Sequence, residues 1–415
     1  IQSAIYESID DLPKAIEICE GYLAIYPDDQ WIQIKLALIY KRIKDDNKVK
    51  DILDKLPILG ELPIDVIFQL SYLNICYGRI DTGINLAYEA RNKNINNGTT
   101  HLKYVGLILE FQSSIEHLRS VSQVDENSVV QIKDENDEFI VYKIVTNVDN
   151  PQNDELLVTD SFAQILLGKK VGSIISVKRG IGEPQKFEIV AIFNKYIYAF
   201  KESLGLLNNK FIDIEGFKMF HPTGSGSIKD DLSPIFEIVD ESHKIDNQLN
   251  EYYRKKLLTI GALAQIKRRN PIRVWSLVIN NNDLGIYSTG SDNETRVAHR
   301  LIEIGNGIVI DLISILTLFH IGRLDLLEQL PNNKVISQST IDTIDDLLRE
   351  FSGISSEGYM TIGKIRGKYV REVVTKEQVE IQNQHYVELL AWINDHCKVM
   401  PCNECLSMNA NKKQE

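Results

Sequence analysis

Four aspartates, Asp311, Asp342, Asp345 and Asp346, have the type and setting to do chemistry. Asp311 closes a short apolar run, Ile308-Val309-Ile310, and passes at once into a second apolar run at helical spacing through Phe319. A buried strand that ends on a carboxylate and turns into a helix starts an open parallel α/β sheet, whose ligands sit at the strand C-termini. The other three acids follow Val335-Ile336-Ser337-Gln338-Ser339, which reads as a second strand leading into a second helix. Carboxylates gathered at one sheet edge offer the oxygen ligands that Mg²⁺ and Mn²⁺ prefer. The same residues also suit an ordinary βαβ unit whose second helix has a solvated acidic face.

Val309-Ile310-Asp311, with Leu316-Thr317-Leu318-Phe319 and Leu324-Asp325-Leu326-Leu327 after it, resembles the opening of a PIN-like domain. PIN-like domains are a family of metal-dependent ribonucleases. The resemblance puts Asp311 on the family's first acid and Asp342 on its second, early in the helix after the second strand. Asp345 or Asp346 takes that second place if the register is one turn later. It therefore implies Asp311 and Asp342 as catalytic residues, and Asp311, Asp342, Asp345 and Asp346 as ligands of Mg²⁺ or Mn²⁺. Such folds continue through further strands bearing later acids. None is evident before residue 415, so the α/β domain, residues 301–415, reads as C-terminally incomplete.

The rest of the chain must position these acids. Its 415 residues, 43% apolar, suit two to four packed domains. A net charge of -12 argues against wholesale nucleic-acid binding, so any RNA contact has to be local. Five scattered cysteines point away from a disulfide framework and toward a reducing, cytoplasmic setting. No apolar run is long enough for a membrane span, and no signal peptide is expected. A chain that begins at Ile1 reads as a fragment.

From Asp10 to Phe111 apolar residues recur at helical spacing, broken by polar turns at Pro27-Asp28-Asp29, Asp45-Asp46, Leu62-Pro63, Gly78-Arg79 and Asn96-Asn97-Gly98. Tyr40 and Tyr77 stand at equivalent helix ends. With Gly78-Arg79-Ile80-Asp81 and Ala87-Tyr88-Glu89-Ala90, residues 1–122 resemble tetratricopeptide (TPR) repeats, which implies a concave surface for a protein partner. A plain helical bundle fits the same periodicity.

Residues 125–200 turn to alternating β pattern around Ser161-Phe162-Ala163-Gln164-Ile165-Leu166-Leu167-Gly168-Lys169-Lys170-Val171-Gly172. This stretch resembles the C-terminal domain of the Gre transcript-cleavage factors, an FKBP-like module in which a small antiparallel sheet packs on one helix. Docking on RNA polymerase is what that family implies, with a reused adaptor module as the other reading. A helix that turns sharply into a strand needs positions tolerant of positive φ, a role for Gly168 and Gly172.

Residues 201–250 read as a connector, with the loop His221-Pro222-Thr223-Gly224-Ser225-Gly226-Ser227 at its centre. Residues 251–300 read as a basic helical segment. Lys267, Arg268, Arg269 and Arg273 lie in a window with no acid, a candidate phosphate-contacting patch or a set of helix-end solvating charges. At Gly290 to Arg296, Asp292 is the expected cap of the helix before Asp311, with Glu294 in its first turn. Tyr359 to Arg371 reads as a hairpin whose Lys364 and Arg366 steer RNA or solvate an edge. The next helix has Val379, Val387, Leu390, Ala391 and Ile393 on its core side. Cys397, Cys402 and Cys405 beside His396 are ligands enough for Zn²⁺, but their spacing fits no strong template, so zinc is not expected.

The whole is a multidomain α+β and α/β chain: TPR-like repeats, a Gre C-terminal-like module and a PIN-like, Rossmannoid domain. That combination resembles bacterial proteins joining PIN, TPR and GreAB C-terminal modules, associated with biological conflict and defence. The expected function is a metal-dependent endoribonuclease whose other modules bring partner or target. The competing expectation is a non-catalytic adaptor on a degenerate PIN-like scaffold.

Overall fold

The computed structural model describes residues 2–8, 10–56, 62–118, 121–146, 154–178, 184–212, 214, 217, 232–287, 291–305, 307–353, 358–365 and 367–400. One compact unit combines Ile1–Gly60 with Phe220–Glu415, and Glu61–Met219 forms the other. The helical series expected over residues 1–122 is thus divided at residue 60.

The first unit opens with α1 (Gln2–Ser8), α2 (Leu12–Leu23), α3 (Gln30–Arg42) and α4 (Asp46–Lys55). Each polar turn supplies the cap of the next helix. Asp11, Asp29 and Asp45 accept from the backbone amides of Lys14, Ile32 and Lys48. These bonds satisfy amides that a helix start otherwise leaves unpaired. Leu12, Ala15, Ile34, Ala37, Ile39 and Val49 are fully buried, and each Leu, Ile or Val among them contributes about 1.5–3 kcal/mol on burial.

In the second unit, α5 (Ile64–Cys76), α6 (Ile80–Lys93) and α7 (Gly98–Glu110) precede a five-stranded sheet. Its strands are β1 (Ser128–Lys133), β2 (Phe139–Val145), β3 (Glu155–Leu157), β4 (Ile174–Val177) and β5 (Gln185–Asn194), in the order β3-β2-β1-β5-β4. The sheet is mixed where an antiparallel one was expected, because β3 pairs parallel to β2. The short α8 (Ser161–Leu166) seats Phe162, Ala163 and Leu166 in the core beneath it. Gly168 and Gly172 adopt φ of +74° and +84°, the backbone role their place after the helix required. A further helix, α9 (Lys195–Asn209), leaves β5 through an Asn194 cap.

Back in the first unit, α10 (Ser233–Arg254) covers most of the later part of the expected connector, while residues 221–227 lie outside the described residues. Then come α11 (Ile260–Lys267), α12 (Pro271–Ile279) and α13 (Asp292–Ile304). The cap of α13 is Ser291, not Asp292: Ser291 and Glu294 bond each other's backbone amides in a capping box. The α/β segment follows as β6 (Gly307–Ile310), α14 (Leu312–His320), α15 (Asp325–Glu328), β7 (Asn333–Ser337) and α16 (Gln338–Gly353). The hairpin β8 (Tyr359–Ile365) and β9 (Lys368–Val374), the helix α17 (Lys376–His396) and β10 (Lys398–Met400) complete it. Val387 and Ala391, expected in the core, are exposed, and Leu389 fills the place beside Val379, Leu390 and Ile393.

The three parallel strands run β10-β7-β6. β10 is a further strand that the pattern of the sequence did not show. Ile310, Ile315, Leu316, Ile336, Ile344, Leu347, Leu389 and Ile393 tie sheet and helices into one core with Leu263, Ile272 and Trp275. Among the described residues no helix is long and apolar enough to cross a membrane.

Candidate active site

Parallel pairing fixes where the acids emerge. Ile310 is opposite Ile336, and Met400 is opposite Ser337, so the C-terminal ends of β6, β7 and β10 lie along one edge. Asp311 is the first residue past β6 and the N-cap of α14. Its Oδ1 accepts from the amides of Ile313 (2.9 Å) and Ser314 (3.1 Å), and its Oδ2 accepts from Ser314 Oγ at 2.5 Å. The carboxylate is exposed beside the N-terminus of α14, where the helix dipole favours a negative charge.

At the end of β7, Ser337 Oγ lies 2.9 Å from Ser339 Oγ and 3.2 Å from Thr340 Oγ1. Gln338 and Thr340 are buried at the start of α16. Asp342 follows on that helix, with one oxygen engaged from the N-terminal helices and the other from its own helix. Arg42 donates to Asp342 Oδ2 from Nη2 (2.7 Å) and Nε (3.1 Å). Gln338 Nε2 donates to Asp342 Oδ1 (3.0 Å) and to the Arg42 carbonyl (2.7 Å). Arg42 Nη2 also reaches Asp10 Oδ1 at 2.7 Å. Burial opposes the charge on Arg42, but its bonds to Asp10 and Asp342 outweigh burial and push its pKa up.

Asp345 pairs with Lys44 Nζ at 3.3 Å, and Asp346 pairs with Arg349 one turn along its own helix. Asp311 and Asp342 are thus the acids nearest in sequence to the strand ends, but Asp342 carries an Arg counter-charge. Among the described residues no three His, Cys, Asp or Glu side chains gather to hold a metal ion. Cys397 is half-buried, and Cys402 and Cys405 lie outside the described residues.

The basic candidates are mostly matched to acids that the sequence window around them lacks. Lys267 is nearly buried and meets Asp246 at 2.7 Å. Arg273 pairs with Glu350 at 2.6 Å and lies over the Phe351 ring. Lys364 meets Asp240 at 2.7 Å, which pushes the lysine pKa up and the carboxyl down. Arg268 and Arg269 sit exposed at the end of α11, Arg268 with a left-handed φ of 49°. Arg366 lies outside the described residues.

Sequence reasoning missed Arg42, Lys44 and Gln338. The Gln338 position was visible in the polar string that ends β7. Nothing near Arg42 points to a partner 300 positions away.

Residues 309–414 match the model of a family described as the PIN domain associated with the TPR-GreAB-C-PIN system. The match covers roughly a quarter of the chain and begins inside β6, one strand residue before Ile310. No curated protein matches the chain. The α/β segment that holds Asp311 and Asp342 is therefore similar to PIN domains of that system, and such domains are generally nucleases.

Proposed function

We propose that this chain is a metal-dependent endoribonuclease of the PIN-like kind, with Asp311 and Asp342 as its catalytic acids. The observation that carries the reading is the exposed Asp311 carboxylate at the C-terminal end of a parallel strand, inside the segment similar to PIN domains. Asp311 and Asp342 are hard oxygen donors and suit Mg²⁺ or Mn²⁺ by type. Asp311 and Asp342 would hold such an ion, which would supply Lewis-acid activation of water and charge neutralisation at the scissile phosphate. The chain's own part is to hold Asp311 rigid. Two amides and the Ser314 hydroxyl fix its carboxylate, and ordered groups lose less freedom when they bind. The N-terminal helices and the β-rich module of the second unit serve partner or target docking, polymerase included.

The test is incubation of a mixed RNA pool with the full chain in the presence and absence of Mn²⁺. Cleavage that needs the ion and vanishes in Asp311→Asn supports the proposal. Cleavage unchanged by that substitution, or no cleavage at all, favours a protein-binding adaptor.

A further inference from the structure

The second acid of the candidate site is held by the far end of the chain. Arg42 places two nitrogens on one oxygen of Asp342, Gln338 ties the other oxygen to the Arg42 backbone, and Lys44 reaches Asp345. These contacts converge from one short segment, the C-terminus of α3, onto the first two turns of α16. A cation that binds Asp342 through Oδ2 competes with the guanidinium for that oxygen, and one that binds through Oδ1 meets the Gln338 amide and the nearby positive charge of Arg42.

The backbone of that segment points the same way. The end of α3 is a Schellman motif: Asp45 N bonds Tyr40 O, and Lys44 N bonds Lys41 O. The left-handed position at its centre, ordinarily glycine, is Lys44 with φ of 60°. Asp10, which braces Arg42 from the other side, also has a left-handed φ, 55°. Each costs about 1 kcal/mol relative to glycine. Two side chains that reach the contact are thus carried on backbone that disfavours them.

We infer that the C-terminus of α3 is an intramolecular latch on the acid helix: Arg42 competes with a divalent cation for Asp342, and Lys44, paired with Asp345, helps to hold α3 against that helix. The inference rests on the nuclease reading for its consequence, but the latch itself is a mechanical contact and has its own readout. It makes the wild-type chain a restrained enzyme, with α1 to α3 as the part through which a binding partner relieves restraint.

The test uses the full chain with Mn²⁺ alone as probe, in the wild type, Arg42→Gln, Lys44→Gly, Asp311→Asn, and Arg42→Gln combined with Asp342→Asn. Hydrogen exchange of the α16 amides reads the latch, and the free Mn²⁺ signal in electron paramagnetic resonance reads the cation. In Arg42→Gln the amides of residues 338–346 should exchange faster and Mn²⁺ should bind about tenfold tighter, the order expected for losing one charged competitor. Adding Asp342→Asn should remove that gain. Lys44→Gly removes the Asp345 contact without stressing the fold, and it should speed exchange and tighten Mn²⁺ in the same direction to a smaller degree. Unchanged exchange, or Mn²⁺ affinity no higher in either latch variant, overturns the latch. If instead exchange quickens but Asp311→Asn binds Mn²⁺ as the wild type does, the latch stands and the nuclease reading falls.

Discussion

Arg42 and Asp342 stand 300 positions apart, and two guanidinium nitrogens share one carboxylate oxygen, at 2.7 and 3.1 Å. Both side chains are about one-third exposed or less. Removing the arginine leaves Asp10 and Asp342 half-buried without their cation. Arg42→Ala should lower unfolding stability by about 1–2 kcal/mol. In urea titrations the loss should shrink at 1 M salt, where exposed charge interactions are screened.

Lys44 presents the opposite balance. Its pair with Asp345 is half-exposed and worth at most about 1 kcal/mol, while its left-handed backbone costs a similar amount. Lys44→Gly should leave the urea midpoint unchanged or raise it, whereas Lys44→Ala, which keeps the strain and loses the charge, should lower it.

His101 in the second unit gives a pH signature. Its ring is buried, with Nε2 2.9 Å from the Ile95 carbonyl and Nδ1 3.0 Å from Ser203 Oγ. The carbonyl can only accept, so Nε2 carries the proton and Nδ1 accepts from Ser203, whose oxygen in turn accepts from Arg91 Nε. Burial pushes the imidazole pKa below its usual 6.5 despite the Ile95 bond. The folded state therefore holds the neutral form and binds fewer protons than the unfolded chain. Its contribution is full above about pH 6.5, declines as pH falls through that value, and stops declining below the lowered folded pKa. Nuclear magnetic resonance should place the His101 titration midpoint below that of a free imidazole, and the second unit should melt earlier at pH 5 than at pH 7.5.

Asp311 serves a helix as well as the candidate site, and two substitutions separate those roles. Asparagine caps as well as aspartate, so Asp311→Asn should stay within about 0.5 kcal/mol of the wild type, while Asp311→Ala should lose about 1 kcal/mol. Both should lose RNA cleavage. Urea titration beside the cleavage assay shows whether activity follows stability or charge.

The strand and helix around Asp311 were legible because an apolar run closed by an acid and then a helical run leaves little choice of local structure. The same holds for Gly168 and Gly172, whose positive φ was readable from a helix that turns sharply into a strand. β10 was not legible. Three residues, Lys398–Met400, carry no periodicity, and only parallel pairing with β7 makes them a strand. The basic window around Lys267 and Arg273 looked unopposed for a related reason, since its acids, Asp246 and Glu350, enter from other helices. The counter-charge on Asp342 likewise exists only once the chain has brought α3 to α16. Local pattern reports what a residue is able to do, and long-range packing decides what it is doing.

The most direct measurement is the rate of Mn²⁺-dependent RNA cleavage across a charge-neutralising series, Asp311→Asn, Asp342→Asn, Asp345→Asn and Asp346→Asn. If Asp311 and Asp342 form the catalytic pair, each of their substitutions should reduce the rate at least 100-fold, the order lost when a charged group acting on the transition state is removed. Asp345→Asn and Asp346→Asn should stay within about threefold of the wild type, a change of under 1 kcal/mol. Equal rates in all four variants and the wild type would contradict the account.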